Sequence, residues 1–231
     1  RRMTTDRLQR PLRDMRISVM DRCNLRCTYC MPEDVFHSEY TFLPRAKLLT
    51  YEEITRVAEA AVSLGVRKIR LTGGEPLLRR HLVRLVEMLR ALDPHLDLAL
   101  TTNGILLADQ AAGLRNAGLN RITVSLDAVD TTVLESMAGK PLALETVLNG
   151  IRAAEKAGFP PVKINMMVQK GVNDHQILPM LDQFAGTDIQ LRFIEYMDVG
   201  ATNQWDASQV VTGSEILDAI GAVHSVEHSG R

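Results

Sequence analysis

Six β-rich runs alternating with amphipathic helical stretches constrain this chain of 231 residues more than any other feature. The strand candidates are residues 15–20, 68–72, 97–102, 121–126, 162–169 and 188–196. Between them, apolar residues recur at three- and four-residue spacing, the mark of helices with one buried face. One helix is expected from about Tyr51 to Leu64, with Ile54, Val57, Ala58, Ala61 and Val62 inward. Thr50 and Glu53 form a capping box at its start, and Gly65 ends it. Others carry Leu82, Val83, Leu85, Val86 and Leu89; Leu144, Val147, Leu148, Ile151 and Ala154; and Ile177, Met180, Leu181 and Phe184. Thr212 and Glu215 cap a last helix containing Ile216, Leu217 and Ile220. Repeated strand–helix–strand units imply parallel strands with right-handed crossovers. No G-x-G-x-x-G follows the first strand, so a dinucleotide-binding sheet is disfavoured. The expected fold is α/β: a partial (β/α)6 barrel of parallel strands with outer helices. In such a fold the loops at the carboxyl ends of the strands build the site.

At this length the chain supports one sizeable core. Its formal net charge of −1 leaves no electrostatic footprint for nucleic acid or an anionic membrane. No apolar run matches a membrane span, and the N-terminus lacks the apolar stretch of a secretion signal. Arg1 and Arg2 precede only polar residues and do not read as a twin-arginine signal. A cytoplasmic protein is expected. Two long connections, residues 31–49 and 198–211, have the length of functional loops.

All three cysteines lie within eight residues, as Cys23-Asn24-Leu25-Arg26-Cys27-Thr28-Tyr29-Cys30. An odd, clustered set is a poor disulfide framework and points to metal. The C-x3-C-x2-C spacing lets one loop wrap a cubic iron–sulfur cluster, which ordinarily takes four thiolates. With three on offer, one iron is left for another ligand. The competing reading is zinc completed by a histidine such as His37, but zinc motifs usually pair two knuckles, and there is no second one here.

Further strands end in polar groups: Leu71-Thr72-Gly73-Gly74-Glu75-Pro76, Thr101-Thr102-Asn103-Gly104 and Val124-Ser125-Leu126-Asp127. Each alone reads as a turn or cap; together they gather where a barrel's site would be. Cations sit inside four strands, at Arg16, Arg70, Lys163 and Arg192. Strand side chains alternate, so each faces away from its apolar neighbours, toward the interior of a helix-covered barrel. Buried charges require partners. Glu75, Asp127 and Glu195 are internal candidates; the alternative is a polyanionic ligand, which Arg and Lys commonly bind.

The cysteine spacing, with an aromatic residue before the last cysteine, resembles the radical S-adenosylmethionine (SAM) superfamily. A closer resemblance is to the GTP 3′,8-cyclase (molybdenum cofactor biosynthesis protein A) family. It rests on Asp21-Arg22-Cys23-Asn24-Leu25-Arg26-Cys27, Tyr29-Cys30-Met31-Pro32, Leu48-Leu49-Thr50-Tyr51-Glu52-Glu53-Ile54 and Ile69-Arg70-Leu71-Thr72-Gly73-Gly74-Glu75-Pro76-Leu77. Beyond these come the two strand ends at residues 101–104 and 124–127, then Val162-Lys163-Ile164-Asn165 and Arg192-Phe193-Ile194-Glu195-Tyr196-Met197.

The resemblance implies a site. Cys23, Cys27 and Cys30 would ligate a 4Fe-4S cluster whose free iron binds SAM. Tyr29, Gly74, Ser125 and Met197 would line the SAM pocket, and Arg16, Arg70, Thr101, Lys163 and Arg192 would face GTP. The implied reaction converts GTP to 3′,8-cyclo-7,8-dihydro-GTP through a 5′-deoxyadenosyl radical, in molybdenum cofactor biosynthesis. Implied partners are an electron donor, cyclic pyranopterin monophosphate synthase as the downstream enzyme, and a second copy in a homodimer. The family also carries a second 4Fe-4S cluster near its C-terminus, whose ligands this sequence lacks, since no cysteine follows Cys30. The sequence is accordingly read as an arm at 1–14, a partial barrel at 15–211, and the start of a truncated C-terminal region at 212–231. The alternatives are another radical SAM enzyme, such as a peptide maturase or cofactor-synthesis relative, or a non-catalytic metal-binding domain.

Overall fold

The computed structural model describes residues 5–200 and 202–227. Arg1, Arg2 and the end of the expected C-terminal region, residues 228–231, lie outside the described residues.

Six parallel strands with flanking helices form the architecture, and the strands follow one another in chain order. They are β1 (Asp14–Ser18), β2 (Lys68–Thr72), β3 (Asp97–Thr102), β4 (Arg121–Ser125), β5 (Lys163–Val168) and β6 (Gln190–Glu195). The helices are α1 (Tyr51–Ser63), α2 (Leu82–Leu92), α3 (Leu107–Asn116), α4 (Thr131–Ala138), α5 (Leu144–Lys156), α6 (Ile177–Phe184) and α7 (Gly213–Gly221). No described helix is long and apolar enough to cross a membrane.

Contacts divide the chain into two compact units. The first gathers the described residues of 1–24 with 41–124 and 147–162. Here β1 pairs with β2, β2 with β3 and β3 with β4, all parallel, with Arg16 opposite Arg70 and Arg70 opposite Ala99. In β2 Ile69 and Leu71 are fully buried, while Lys68, Arg70 and Thr72, which alternate with them, are half-exposed. That alternation is the expected strand period. Leu82, Leu85, Val86 and Leu89 of α2 are buried at helical spacing. The Thr50–Glu53 capping box opens α1 as expected. Val57, expected inward, is 50% exposed, because the buried stripe of α1 narrows to Ile54 and Ala58.

The second unit gathers 25–40, 125–146 and the described residues from 163 on. In it β5 pairs with β6, with Lys163 opposite Gln190 and Asn165 opposite Arg192. Ile164, Met166, Met167 and Val168 are buried. The Thr212–Glu215 capping box opens α7. The sequence periodicity did not announce α3 or α4, and α4 proves central to the cysteine segment.

Candidate functional site

In the second unit the cysteine segment is docked on the end of α4. A helix leaves its last carbonyls without intrahelical partners, and here the segment fills them. The Arg26 N–H donates to the Ala138 carbonyl at 2.9 Å, and the Thr28 N–H to that of Met137 at 3.1 Å. Gly139 then takes a left-handed φ of +63°, and a Cβ there would stand 2.2 Å from the Arg26 carbonyl oxygen. Only glycine fits. Within the segment, the Cys27 carbonyl accepts from the Cys30 and Met31 N–H groups at 3.0 and 2.9 Å, closing a turn. The Arg26 guanidinium is spent structurally, on the Phe36 carbonyl at 2.7 Å and on Glu33 at 3.3 Å.

Tyr29 anchors the turn from its side chain. Its hydroxyl donates to Asp127 Oδ2 at 2.7 Å, and Asp127 Oδ1 accepts from the Met167 N–H at 2.9 Å. Burial pushes the Asp127 carboxyl up to about 6, against the lowering effect of these two donors. The Tyr29 hydroxyl is pushed well above its ordinary value by burial first, then by the Asp127 and Cys27 charges. Asn173, fully buried, donates to the carbonyls of Asp127 and Met167 at 2.9 and 2.7 Å. Ser125 is half-buried, and Met197, just past β6, is exposed.

In the first unit, Cys23 lies beside two amides. Asn103 Nδ2 donates to Asn24 Oδ1 at 2.8 Å and stands 3.9 Å from Cys23 Sγ, which is itself 3.8 Å from Asn24 Oδ1. Glu75, 1% exposed, ties two strand ends together. Its Oε1 accepts from the Thr102 hydroxyl at 2.7 Å and the Leu77 N–H at 2.9 Å, and its Oε2 from the Asn103 N–H at 2.8 Å. Burial raises its carboxyl, and these donors oppose the shift. The Gly74 N–H donates to Met20 and the Glu75 N–H to Arg22, both at 2.8 Å. A Cβ on Gly74 would stand 2.0 Å from the Arg22 carbonyl oxygen. The close approach that glycine permits here is therefore to the chain entering Cys23.

The in-strand cations are less enclosed than the sequence suggested. Arg16 is exposed, and Arg70, Lys163 and Arg192 are half-buried. At that exposure their burial cost is smaller than full enclosure would impose. Each of the three candidate carboxylates accepts from main-chain or hydroxyl donors. Glu75 and Asp127 are taken up as above, and Glu195 Oε1 accepts from the Gly213 N–H at 2.5 Å. In the first unit, Arg70 Nη1 donates to Thr101 Oγ1 at 3.0 Å, bringing two expected ligand residues together. In the second, Asn165 stands opposite Arg192 and two residues beyond Lys163, and its Oδ1 is buried without a hydrogen-bond partner among the described residues. A buried acceptor flanked by two cations fits a polar ligand better than a packed core.

Sequence reasoning missed the four asparagines Asn24, Asn103, Asn173 and Asn203. Asn24 and Asn103 lay inside quoted motifs, but nothing marked their amides as partners.

The donor set fits an iron–sulfur cluster. The three cysteines form no disulfide with one another; Cys23 and Cys27 are half-buried and Cys30 is exposed. Three thiolates close together on one segment are the ligand chemistry such a cluster takes.

Comparison with known proteins agrees. The profile of the Radical SAM superfamily matches residues 17–184. A GTP 3′,8-cyclase of Staphylococcus epidermidis is 52% identical over 215 residues, 93% of this chain and 63% of that protein. One of Acidothermus cellulolyticus is 54% identical over 217 residues, 94% of this chain and 60% of that protein. The chain thus spans less than two thirds of these relatives' length. Among solved structures, methylornithine synthase superposes with a TM-score of 0.68 at 16% identity, covering 90% of this chain and 62% of its own. Streptococcus suis SuiB bound to S-adenosylmethionine superposes with a TM-score of 0.65 at 18% identity, covering 84% and 43%. These two speak for the fold alone. On its cysteine motif, its parallel strands and the profile match over most of its length, the chain belongs to the radical SAM superfamily.

Proposed function

We propose that this chain is part of a GTP 3′,8-cyclase acting in the cytoplasm in molybdenum cofactor biosynthesis. The observation that carries the reading is 52% identity to a protein of that name over 215 residues. The cations on the strands support it. Cys23, Cys27 and Cys30 would hold the 4Fe-4S cluster, with Tyr29, Gly74, Ser125 and Met197 serving SAM. When bound, the cluster and SAM supply one-electron radical chemistry.

The chain's own contribution is position. Asp127 and α4 fix the cysteine turn before any ligand arrives, and Glu75 fixes the strand ends around Gly74. Arg70, oriented by Thr101, offers a planar fork suited to phosphate oxygens, and Lys163 and Arg192 add charge on either side of the Asn165 amide. Arg16, exposed on β1, joins them on the same argument of charge. An electron donor, cyclic pyranopterin monophosphate synthase downstream, a second copy in a homodimer and a second cluster complete the proposal.

Calorimetry on the reconstituted full-length protein tests it. Lys163→Ala and Arg192→Ala should each abolish measurable GTP binding while SAM still binds. GTP affinity unchanged in both variants contradicts the cyclase reading and favours another radical SAM enzyme with no use for these cations.

A further inference from the structure

We infer that Asn203 is a positioning residue that sets the spacing between Tyr29 and Met197, two proposed walls of the SAM pocket. The inference rests on the SAM-pocket assignment above. Asn203 lies in the long connection after β6, far in sequence from the cysteines, and is 8% exposed. Its amide nitrogen donates to the Tyr29 carbonyl at 3.2 Å and to the Met197 carbonyl at 3.0 Å. Both acceptors are carbonyl oxygens, so the amide's orientation is fixed: the nitrogen must face them. Asn203 is held in turn, because the Tyr196 hydroxyl donates to its main-chain carbonyl at 3.0 Å. Gln204 follows at a φ of +49°, an uncommon conformation for a residue with a side chain. Backbone strain of this kind persists where the surroundings impose it.

The contact reaches the cysteine turn through the peptide bond. The Tyr29 carbonyl that accepts from Asn203 shares its peptide with the Cys30 N–H, and that N–H donates to the Cys27 carbonyl at 3.0 Å. Hydrogen bonds at the two ends of one peptide polarise each other. Asn203 thus strengthens the bond that closes the turn between two proposed cluster ligands. It also pins the main chain where Tyr29, held at its hydroxyl by Asp127, would otherwise pivot. Loss of the amide should loosen both pocket walls, leaving the thiols able to retain iron.

The test uses the full-length protein reconstituted anaerobically with iron and sulfide, comparing wild type with Asn203→Ala, Asn203→Asp and Trp205→Phe. Asn203→Asp keeps the size but sets a carboxylate against two carbonyls. Trp205→Phe removes a different bond of the same connection, from the indole N–H to the Tyr196 carbonyl at 3.1 Å. Iron content, SAM affinity and the SAM-induced change in the reduced cluster's electron paramagnetic resonance spectrum are read on each. Both Asn203 variants should retain iron, bind SAM about tenfold more weakly and show a diminished spectral change; Trp205→Phe should match wild type. Unchanged affinity and spectrum in both Asn203 variants overturn the inference. So does an equal loss in Trp205→Phe, which assigns the effect to the whole connection. If Asn203→Ala fails to fold, the isosteric Asn203→Asp decides, and loss of iron from that variant overturns the inference by making Asn203 merely structural. Wild-type protein that takes up no SAM is a separate failure, of the pocket assignment itself.

Discussion

Substituting Gly139 with alanine isolates the junction that holds the cysteine segment. The new Cβ would stand 2.2 Å from the Arg26 carbonyl oxygen, so α4 and the segment must separate. Separation breaks the Arg26–Ala138 and Thr28–Met137 hydrogen bonds, each worth about 1 kcal/mol net. Holding alanine at a φ of +63° costs about 1–2 kcal/mol more. The total expected loss is about 3–4 kcal/mol. At a urea slope of about 3 kcal/mol per molar, the midpoint should fall by roughly 1 M. Gly158 supplies the control: its φ is +79°, but a Cβ there meets nothing within 4 Å. Gly158→Ala therefore carries only the conformational cost of about 1–2 kcal/mol. Urea titrations of both variants, followed by circular dichroism, separate the two terms. Equal losses in the two proteins refute the close approach at Gly139, and with it the claim that α4 seats the cysteines.

The buried carboxylates yield two more predictions. Burial raises the folded-state Asp127 carboxyl to about 6 from an ordinary value of 3.8, so the fold favours its neutral form. Its stabilising effect is complete below the ordinary carboxylate range and is lost as pH rises through about 6; urea midpoints between pH 4 and 7 should show this decline in wild type and a flatter profile in Asp127→Asn. Glu75→Gln turns one acceptor oxygen into a donor facing the Leu77, Thr102 or Asn103 donors. A stability loss of about 1–3 kcal/mol is expected, read as a melting temperature lower by about 2–4 °C per kcal/mol; an unchanged melt contradicts the bridging role.

Periodicity made all six strands and five helices legible, because buried Leu, Ile and Val recur at fixed spacing, as in α2 and β2. It failed where the buried face is small or the element short. In α3 the buried residues are only Leu107, Ala111 and Leu114, and Gly113 interrupts the pattern. Helix α4 is eight residues long and opens on Thr131, Thr132 and Val133, β-branched residues that read as strand. Its ends were nonetheless visible: Asp130 caps the N-terminus, and Gly139 closes the other end in the left-handed conformation.

Within the candidate site, the cysteines were conspicuous in the sequence because thiol spacing on one loop carries chemistry directly. The residues that hold them were not. Asn203 reaches Tyr29 across 174 positions, and Asn173 reaches the Asp127 carbonyl across 46. An amide's partners depend on which distant carbonyls the fold presents, and no local pattern encodes that. The partners of the carboxylates were hidden for a related reason. Charge alone offered Glu75, Asp127 and Glu195 as possible partners of the strand cations and could not reveal the main-chain and hydroxyl donors that reach them in the fold.

The most direct test of the central claim is electron paramagnetic resonance of the reduced, iron-reconstituted protein with and without SAM. Three-thiolate ligation by Cys23, Cys27 and Cys30 predicts a 4Fe-4S signal that changes when SAM is added and disappears in Cys30→Ser. A signal indifferent to SAM, or a colourless protein that takes up zinc instead, would contradict the account.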